Sequence, residues 1–322
     1  MRMAVQWAFF ALVVYGGWRL YAFTQHFEAG GPYVERAPLV EGFLPIGALM
    51  SFKVWLTQGV FDNVHPAGLV IFLSALVVSI FLKKAFCSWI CPVGTASELV
   101  YKTGAKVFGR NLRLPKWLDY PLRSLKYILM GFFLFVVLKM PALGLKAFLG
   151  GAYWKVADIK MLWFFKEMSG LTAWVLGALF LGSLLYKNFW CRYLCPYGAL
   201  LGILSCLSPA KVGRNERACI HCGICARACP ALLPVDEKVR ISSPECTGCL
   251  SCIASCPAKG ALDLRAARRG GWPLHPLLHA GLILVLFLGI VFGAKASGHW
   301  HSSVSYSEYG DLIPIARELE HP

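Results

Sequence analysis

The chain has 322 residues, 57% of them hydrophobic and 15% charged, with a mean hydropathy of +0.58. That composition excludes an ordinary soluble enzyme and a disordered chain, and points to a polytopic membrane protein. Thirty-two Lys and Arg against 17 Asp and Glu leave a formal charge of +15; no basic recognition element accompanies it, so it reads as membrane topology and attraction to anionic lipid headgroups, not nucleic-acid binding.

Five apolar stretches are long enough to span a bilayer: 5–23, 66–82, 122–140, 171–186 and 274–294. The first lacks an A-x-A cleavage site and has only Arg2 as a basic flank, so it reads as a retained helix. The stretch 42–61 contains Pro45 and Lys53 and reads as an interfacial or re-entrant piece. Lys and Arg number seven in 83–120 and twelve in 187–272, but two each in 24–64 and 295–322. Loop 139–170, with five, weakens the contrast without reversing it. The two basic segments are therefore expected in the cytoplasm, with the N-terminus inside and the C-terminal tail outside. All 13 cysteines then fall on the cytoplasmic side or at its edge, which suits reduced thiols rather than a disulfide framework.

At the ends of the second and fourth stretches one motif occurs twice, as Cys87-x3-Cys91-Pro92-x-Gly94 and Cys191-x3-Cys195-Pro196-x-Gly198, with Lys83 and Lys187 in matching positions. The repeat marks an internal duplication. If each motif is helical, its two cysteines share a face, and four thiols could converge as a further redox or metal site, or pack as small hydrophobes. Cys206, in an apolar run, reads as a buried residue.

Two further runs, Cys219-Cys222-Cys225-Cys229-Pro230 and Cys246-Cys249-Cys252-Cys256-Pro257, follow C-x2-C-x2-C-x3-C-P, the bacterial pattern for two [4Fe–4S] clusters. In that pattern the fourth cysteine of each run serves the other cluster. Cys219, Cys222, Cys225 and Cys256 are expected to hold one, and Cys246, Cys249, Cys252 and Cys229 the other. Structural zinc also takes four thiolates, but usually as two C-x2-C pairs with a longer gap. No C-x-x-C-H exists for a c-type haem.

FCSWICP at 86–92, WCRYLCPYGAL at 190–200 and the runs at 219–230 and 246–257 together resemble the NapH/NosR/CcoG-type membrane-bound polyferredoxins, over about residues 60 to 265. The resemblance implies electron exchange between the quinone pool, two cytoplasmic-side clusters and a partner, either as a quinol-linked subunit of a periplasmic reductase system or as a redox factor for copper handling. The chain lacks the flavin-binding N-terminal domain of the nitrous-oxide regulator type and the immunoglobulin-like C-terminal domain of the oxidase-assembly type. It also continues past the clusters, where the nitrate-reductase type ends.

The expected fold is mainly α: a bundle of about five membrane helices with an inserted two-[4Fe–4S] ferredoxin-like domain. Residues 1–207 form the membrane domain, 208–265 the ferredoxin-like domain, 266–296 the last span and 297–322 an external tail. His26, His65 and Asp158 are candidates for taking quinol protons at the outer surface, against ordinary interfacial roles. His275 and His279, four apart at the start of the last span, could face the clusters or a haem. His299 and His301 could ligate a metal or belong to a docking tail. Lys211, Arg214, Arg217 and Arg227 surround the first run and could tune its potential. Expected partners are membrane lipids, quinone and other subunits of a respiratory redox complex, among them an extracytoplasmic redox protein. A copper- or metal-reducing assembly factor and a structural anchor are the alternatives.

Overall fold

A computed structural model describes residues 1–266 and 271–320. The start of the last span, expected at 266–296, and the end of the tail, expected at 297–322, lie partly outside the described residues. In chain order come α1 (Arg2–Ala29), a 3₁₀ turn at Pro38–Phe43, α2 (Pro45–Gln58), α3 (Pro66–Leu82), α4 (Ala85–Trp89), α5 (Pro92–Val107), α6 (Lys116–Lys139), α7 (Ala142–Gly150), α8 (Ala152–Lys155) and α9 (Ala157–Lys166). Then follow α10 (Gly170–Leu185), α11 (Phe189–Tyr193), α12 (Pro196–Leu204), β1 (Lys211–Arg214), α13 (Ile224–Ala228), α14 (Ser251–Ala254), β2 (Leu262–Arg265), α15 (Pro276–Ala296) and α16 (Tyr306–Leu312). Proline opens α2, α5 and α12, where its missing N–H costs nothing and its fixed φ suits the first turn.

Each of the five apolar stretches is a helix, but the helices differ in length and polarity. Two are long and apolar enough to cross a membrane, α6 and α15, and a third if α9 and α10, bent by 83°, count as one span. Helix α3, with 17 residues, is slightly short of that length. In α1, Gln6, Trp7, Tyr15, Trp18 and Arg19 dilute an otherwise apolar sequence. The stretch 42–61 holds the 14-residue α2, too short to cross a hydrocarbon core of about 30 Å at about 1.5 Å per residue.

The chain divides into two compact units, one of Met1–Phe10, Ala75–Met130 and Gly177–Phe287, the other of Ala11–Ser74, Gly131–Leu176 and Leu288–Pro322. The first contains every cysteine. In it β1 and β2 pair antiparallel, from Lys211↔Arg265 to Arg214↔Leu262, and bracket both cysteine runs. The N-terminal end of α1 is held there by Arg2, which donates to both carboxylate oxygens of Glu98 at 2.8 and 2.7 Å.

The second unit has an apolar core of Leu20, Phe23, Val40, Val156, Ile159, Trp163, Tyr309, Ile313 and Ala316. The last three come from the tail expected at 297–322, so that part of it packs into this core. Tyr309, Ile313 and Ala316 recur at helical spacing, and Ile313 and Ala316 are completely buried.

Candidate functional site

The two cysteine runs fold alike. Gly223 and Leu250 adopt positive φ (67° and 59°) just before α13 and α14, whose second residues are Cys225 and Cys252. Each helix lasts little more than a turn. Cys229 is extended (φ −67°, ψ 121°), because the following proline disfavours the helical region. The fourth cysteine therefore leaves its own turn.

Two cavities result. Cys229, Cys246, Cys249 and Cys252 line one of about 370 Å³, walled by Val212, Leu233, Val235 and Ile241. Cys219, Cys222, Cys225 and Cys256 line another of about 330 Å³, with Arg214 and Asp236. Among the described residues no three His, Cys, Asp or Glu are placed to hold a single metal ion. Four thiols in a largely apolar pocket are the donor set a [4Fe–4S] cluster needs.

The duplicated motif grips the loops of the Cys229–Cys246 cavity. From the first copy, Ser88 Oγ donates to the Thr247 carbonyl at 2.7 Å and Trp89 Nε1 to that of Gly248 at 3.1 Å. Lys83 Nζ donates to the carbonyls of Ser242 and Ser243 at 3.4 and 3.2 Å. From the second copy, Lys187 donates to the Arg227 carbonyl at 2.9 Å and Arg192 to that of Ala231 at 2.5 Å. Gly248, at φ 60°, is a glycine for a second reason: a Cβ there would lie 3.1 Å from the Leu82 carbonyl.

The expectation that Cys87 and Cys91 share one helix is corrected. Helix α4 ends at Trp89, and Cys91 is extended (φ −63°, ψ 121°) as the N-cap of α5. Cys195 does the same for α12, its Sγ accepting from the Gly198 N–H at 3.2 Å. Pro92 and Pro196 force both breaks. The four thiols nevertheless lie close enough to oppose one another's ionisation. Burial and then the other thiols push Cys191 up to about 12, against the pull of Lys84. Burial also pushes Cys91 up to about 11, although the N–H groups of Gly94 and Val93 oppose it. Gly94 leaves no room for a side chain, since a Cβ there would run into the Cys87 carbonyl oxygen. Gly94→Ala is expected to cost about 1–3 kcal/mol, in line with overpacked sites. It should lower both the apparent melting temperature and the iron content; a variant matching the parent in both would show that α5 can shift freely.

The candidate quinol residues separate. His65 and Asp158 meet at Arg36, in the second unit: Arg36 Nε donates to Asp158 Oδ2 at 2.7 Å and its Nη2 to His65 Nδ1 at 2.8 Å. Glu41 stands 2.8 Å from Arg36 and accepts from the Gly68 N–H at 3.0 Å. Arg36 can only donate, so His65 Nδ1 accepts from it and Nε2 donates to the Trp154 carbonyl at 2.7 Å; Glu41 Oε1 lies 3.4 Å from Nδ1. Burial works against the Arg36 charge, but Asp158 and Glu41 outweigh it and raise its pKa above the ordinary value. His26 is not part of this network; it bonds to Tyr306 Oη at 2.7 Å.

Other expectations shift. His279 is fully buried and faces the Gly248 carbonyl at 3.2 Å, whereas His275 is exposed and accepts from the Leu277 N–H. The two do not form a pair. His299 packs on the Phe61 ring and His301 lies 3.6 Å from Glu35, so each has its own neighbour. Cys206 is exposed, not buried, because it lies beyond the end of α12. Arg214 lines the Cys219 cavity, Arg227 donates to the Cys222 carbonyl at 3.1 Å, and Lys211 donates to that of Cys206; Arg217 is exposed. Two features escaped the sequence reading: Glu41, and a buried group of Lys83, Lys84, Lys126 and Glu245. Lys126 inside an apolar stretch was the available signal.

Comparison with known proteins agrees with the site. A family profile described as a 4Fe-4S binding domain matches residues 64–115 and again 168–215, the two copies of the duplicated unit. One described as a 4Fe-4S dicluster domain matches 211–257. YccM of Escherichia coli (strain K12), a protein whose name proposes electron transport, is 40% identical over 326 aligned positions, covering 99% of this chain and 91% of that protein. The ferredoxin-type protein NapH of the same organism is 26% identical, covering 66% and 83%. The methylamine utilization ferredoxin-type protein MauN of Methylorubrum extorquens is 30% identical, covering 60% of each. No solved structure matches.

Proposed function

The chain belongs to the 4Fe–4S polyferredoxin family, and from that premise we propose that it is a membrane-bound electron-transfer subunit passing electrons between the quinol pool and a partner redox protein. The observation that carries the reading is the sorting of eight cysteines into two cavities of four. Cys219, Cys222, Cys225 and Cys256 hold one [4Fe–4S] cluster; Cys229, Cys246, Cys249 and Cys252 hold the other. The clusters supply one-electron transfer. The residues of the chain hold them, exclude water through the apolar walls, and fix the Cys246 loop to the membrane-edge motif through Lys83, Ser88 and Trp89.

Five spans, with both cysteine runs on the cytoplasmic side and the C-terminal tail outside, suit the distribution of basic residues. Quinol oxidation also releases protons. Among the described residues, the carboxylates Glu41 and Asp158 share the single guanidinium of Arg36, with His65 beside both Arg36 and Glu41. One further proton there would neutralise an excess negative charge. A second reading, a metal-reducing assembly factor, rests on the mutual proximity of the Cys87, Cys91, Cys191 and Cys195 thiols. It predicts stoichiometric Cu(I) binding that disappears when these four are replaced.

The test is anaerobic addition of menaquinol or ubiquinol to the purified protein, with EPR detection of reduced clusters. Reduction by quinol is the expected result. Clusters that dithionite reduces but neither quinol does would remove the quinol link and keep the electron-transfer role.

A further inference from the structure

Burying a charge requires a compensating charge nearby. Lys83 is 1% exposed, Lys84 4%, Lys126 0% and Glu245 7%. Lys126 Nζ lies 2.6 Å from Glu245 Oε2, and Lys84 Nζ lies 3.9 Å from the same oxygen. Tyr127 Oη donates to the other oxygen at 2.7 Å and brings no charge. Lys83 Nζ donates to the carbonyls of Ser242 and Ser243 and, among the described residues, has no carboxylate partner. Among the described residues, three lysines therefore stand against one carboxylate, an excess of cationic side chains.

The surplus adjoins the Cys246 ligand. Glu245 precedes Cys246 in the chain, and Lys83 Cβ lies 3.4 Å from where a Cβ on Gly248, two residues after Cys246, would be. Around the other cavity both signs occur: Arg214 and Asp236 line it, Arg227 donates to the Cys222 carbonyl, and Glu216 lies 3.1 Å from Arg214.

Four thiolates around a [4Fe–4S]2+ core carry net negative charge and gain one more on reduction. We propose that Lys83, Lys84 and Lys126 form a buried counter-charge that stabilises the reduced state at the Cys229/Cys246/Cys249/Cys252 site, making it the more readily reduced of the two. Glu245 sets how large the counter-charge is, and these four act as positioning residues for potential, not as ligands. The step they favour is uptake of one electron with no bond made or broken. The inference rests on the two-cluster reading above.

An EPR-monitored redox titration of the full chain in detergent tests it, with mediators and dithionite as reductant. Signals are assigned to sites with Cys256→Ala, which deletes the Cys219 site. In Lys126→Met or Lys83→Met, the reduced-to-oxidised ratio at the Cys246 site, at fixed ambient potential, is expected to fall roughly tenfold. For a one-electron couple that is a shift of about 59 mV downward. Glu245→Gln should move the ratio the other way, and Lys126→Arg should leave it near the parent value; both apply even if a Met variant fails to assemble. The ratio at the Cys219 site should hold in every case. Equal shifts at both sites, no shift at either, or a fall in Glu245→Gln would overturn the proposal. Protein without two cluster signals would instead overturn the two-cluster reading beneath it.

Discussion

Replacing Cys229 by alanine should delete the cluster whose other three ligands come from the second run, and replacing Cys256 should delete the cluster of the first. Position in the chain suggests the reverse, since Cys229 lies four residues after Cys225. The structure places Cys229 with Cys246, Cys249 and Cys252 instead. Each single variant should fall from about eight iron atoms per chain to about four. The double variants separate the alternatives. Cys229→Ala with Cys246→Ala removes two ligands of one cluster and should still retain about four. Cys229→Ala with Cys219→Ala removes one ligand from each and should retain almost none. Iron and acid-labile sulfide analysis on anaerobically purified protein reads all four. If the second double variant keeps half its iron, the crossing of ligands is wrong. Thermal stability should follow iron, since β1 and β2 pair over only four residues each and a domain this small depends on its metal centres for much of its stability.

The expected crossing of ligands has a local cause, and the cysteines that line each cavity are grouped in the same way. Proline after the fourth cysteine of each run bars the helix from continuing, and the spacing fixes the rest. The helices of the apolar stretches were legible for a similar reason; α3 runs over the stretch read from hydropathy, 66–82. Where local rules compete, the reading failed. Cys87 and Cys91 have helical spacing, but Pro92 outweighs it and ends the helix between them. The tail looked polar and short, yet Tyr309, Ile313 and Ala316 supply one apolar face to a core. Pairings over long sequence separations were not legible at all. Nothing near Lys126 in the sequence shows that Glu245, 119 residues away, is its partner, and nothing near Arg36 points to Asp158, 122 residues away.

That second pairing sets the other large effect. Arg36→Met should destabilise the protein by about 3–5 kcal/mol, the range for breaking a buried ion pair by removing one partner. Met matches much of the volume, so the loss comes from charge: Glu41 and Asp158, both fully buried, would be left without their cation. The apparent melting temperature in detergent, followed by tryptophan fluorescence, is the measure. A triple variant with Glu41→Gln and Asp158→Asn as well should recover most of the loss, because neutral groups no longer need a counter-charge. If Arg36→Met melts like the parent, the network is not the buried ion cluster its distances describe. The triple variant also decides what the network is for. If the carboxylates receive quinol protons, it should be stable, hold its clusters and accept electrons from dithionite, yet respond to quinol at least tenfold more slowly, as expected for loss of a positioned proton acceptor, worth about 10²–10⁴-fold. If it responds to quinol at the parent rate, Asp158 and Glu41 serve stability alone, and the proton acceptor has to be sought elsewhere in the chain or in a partner.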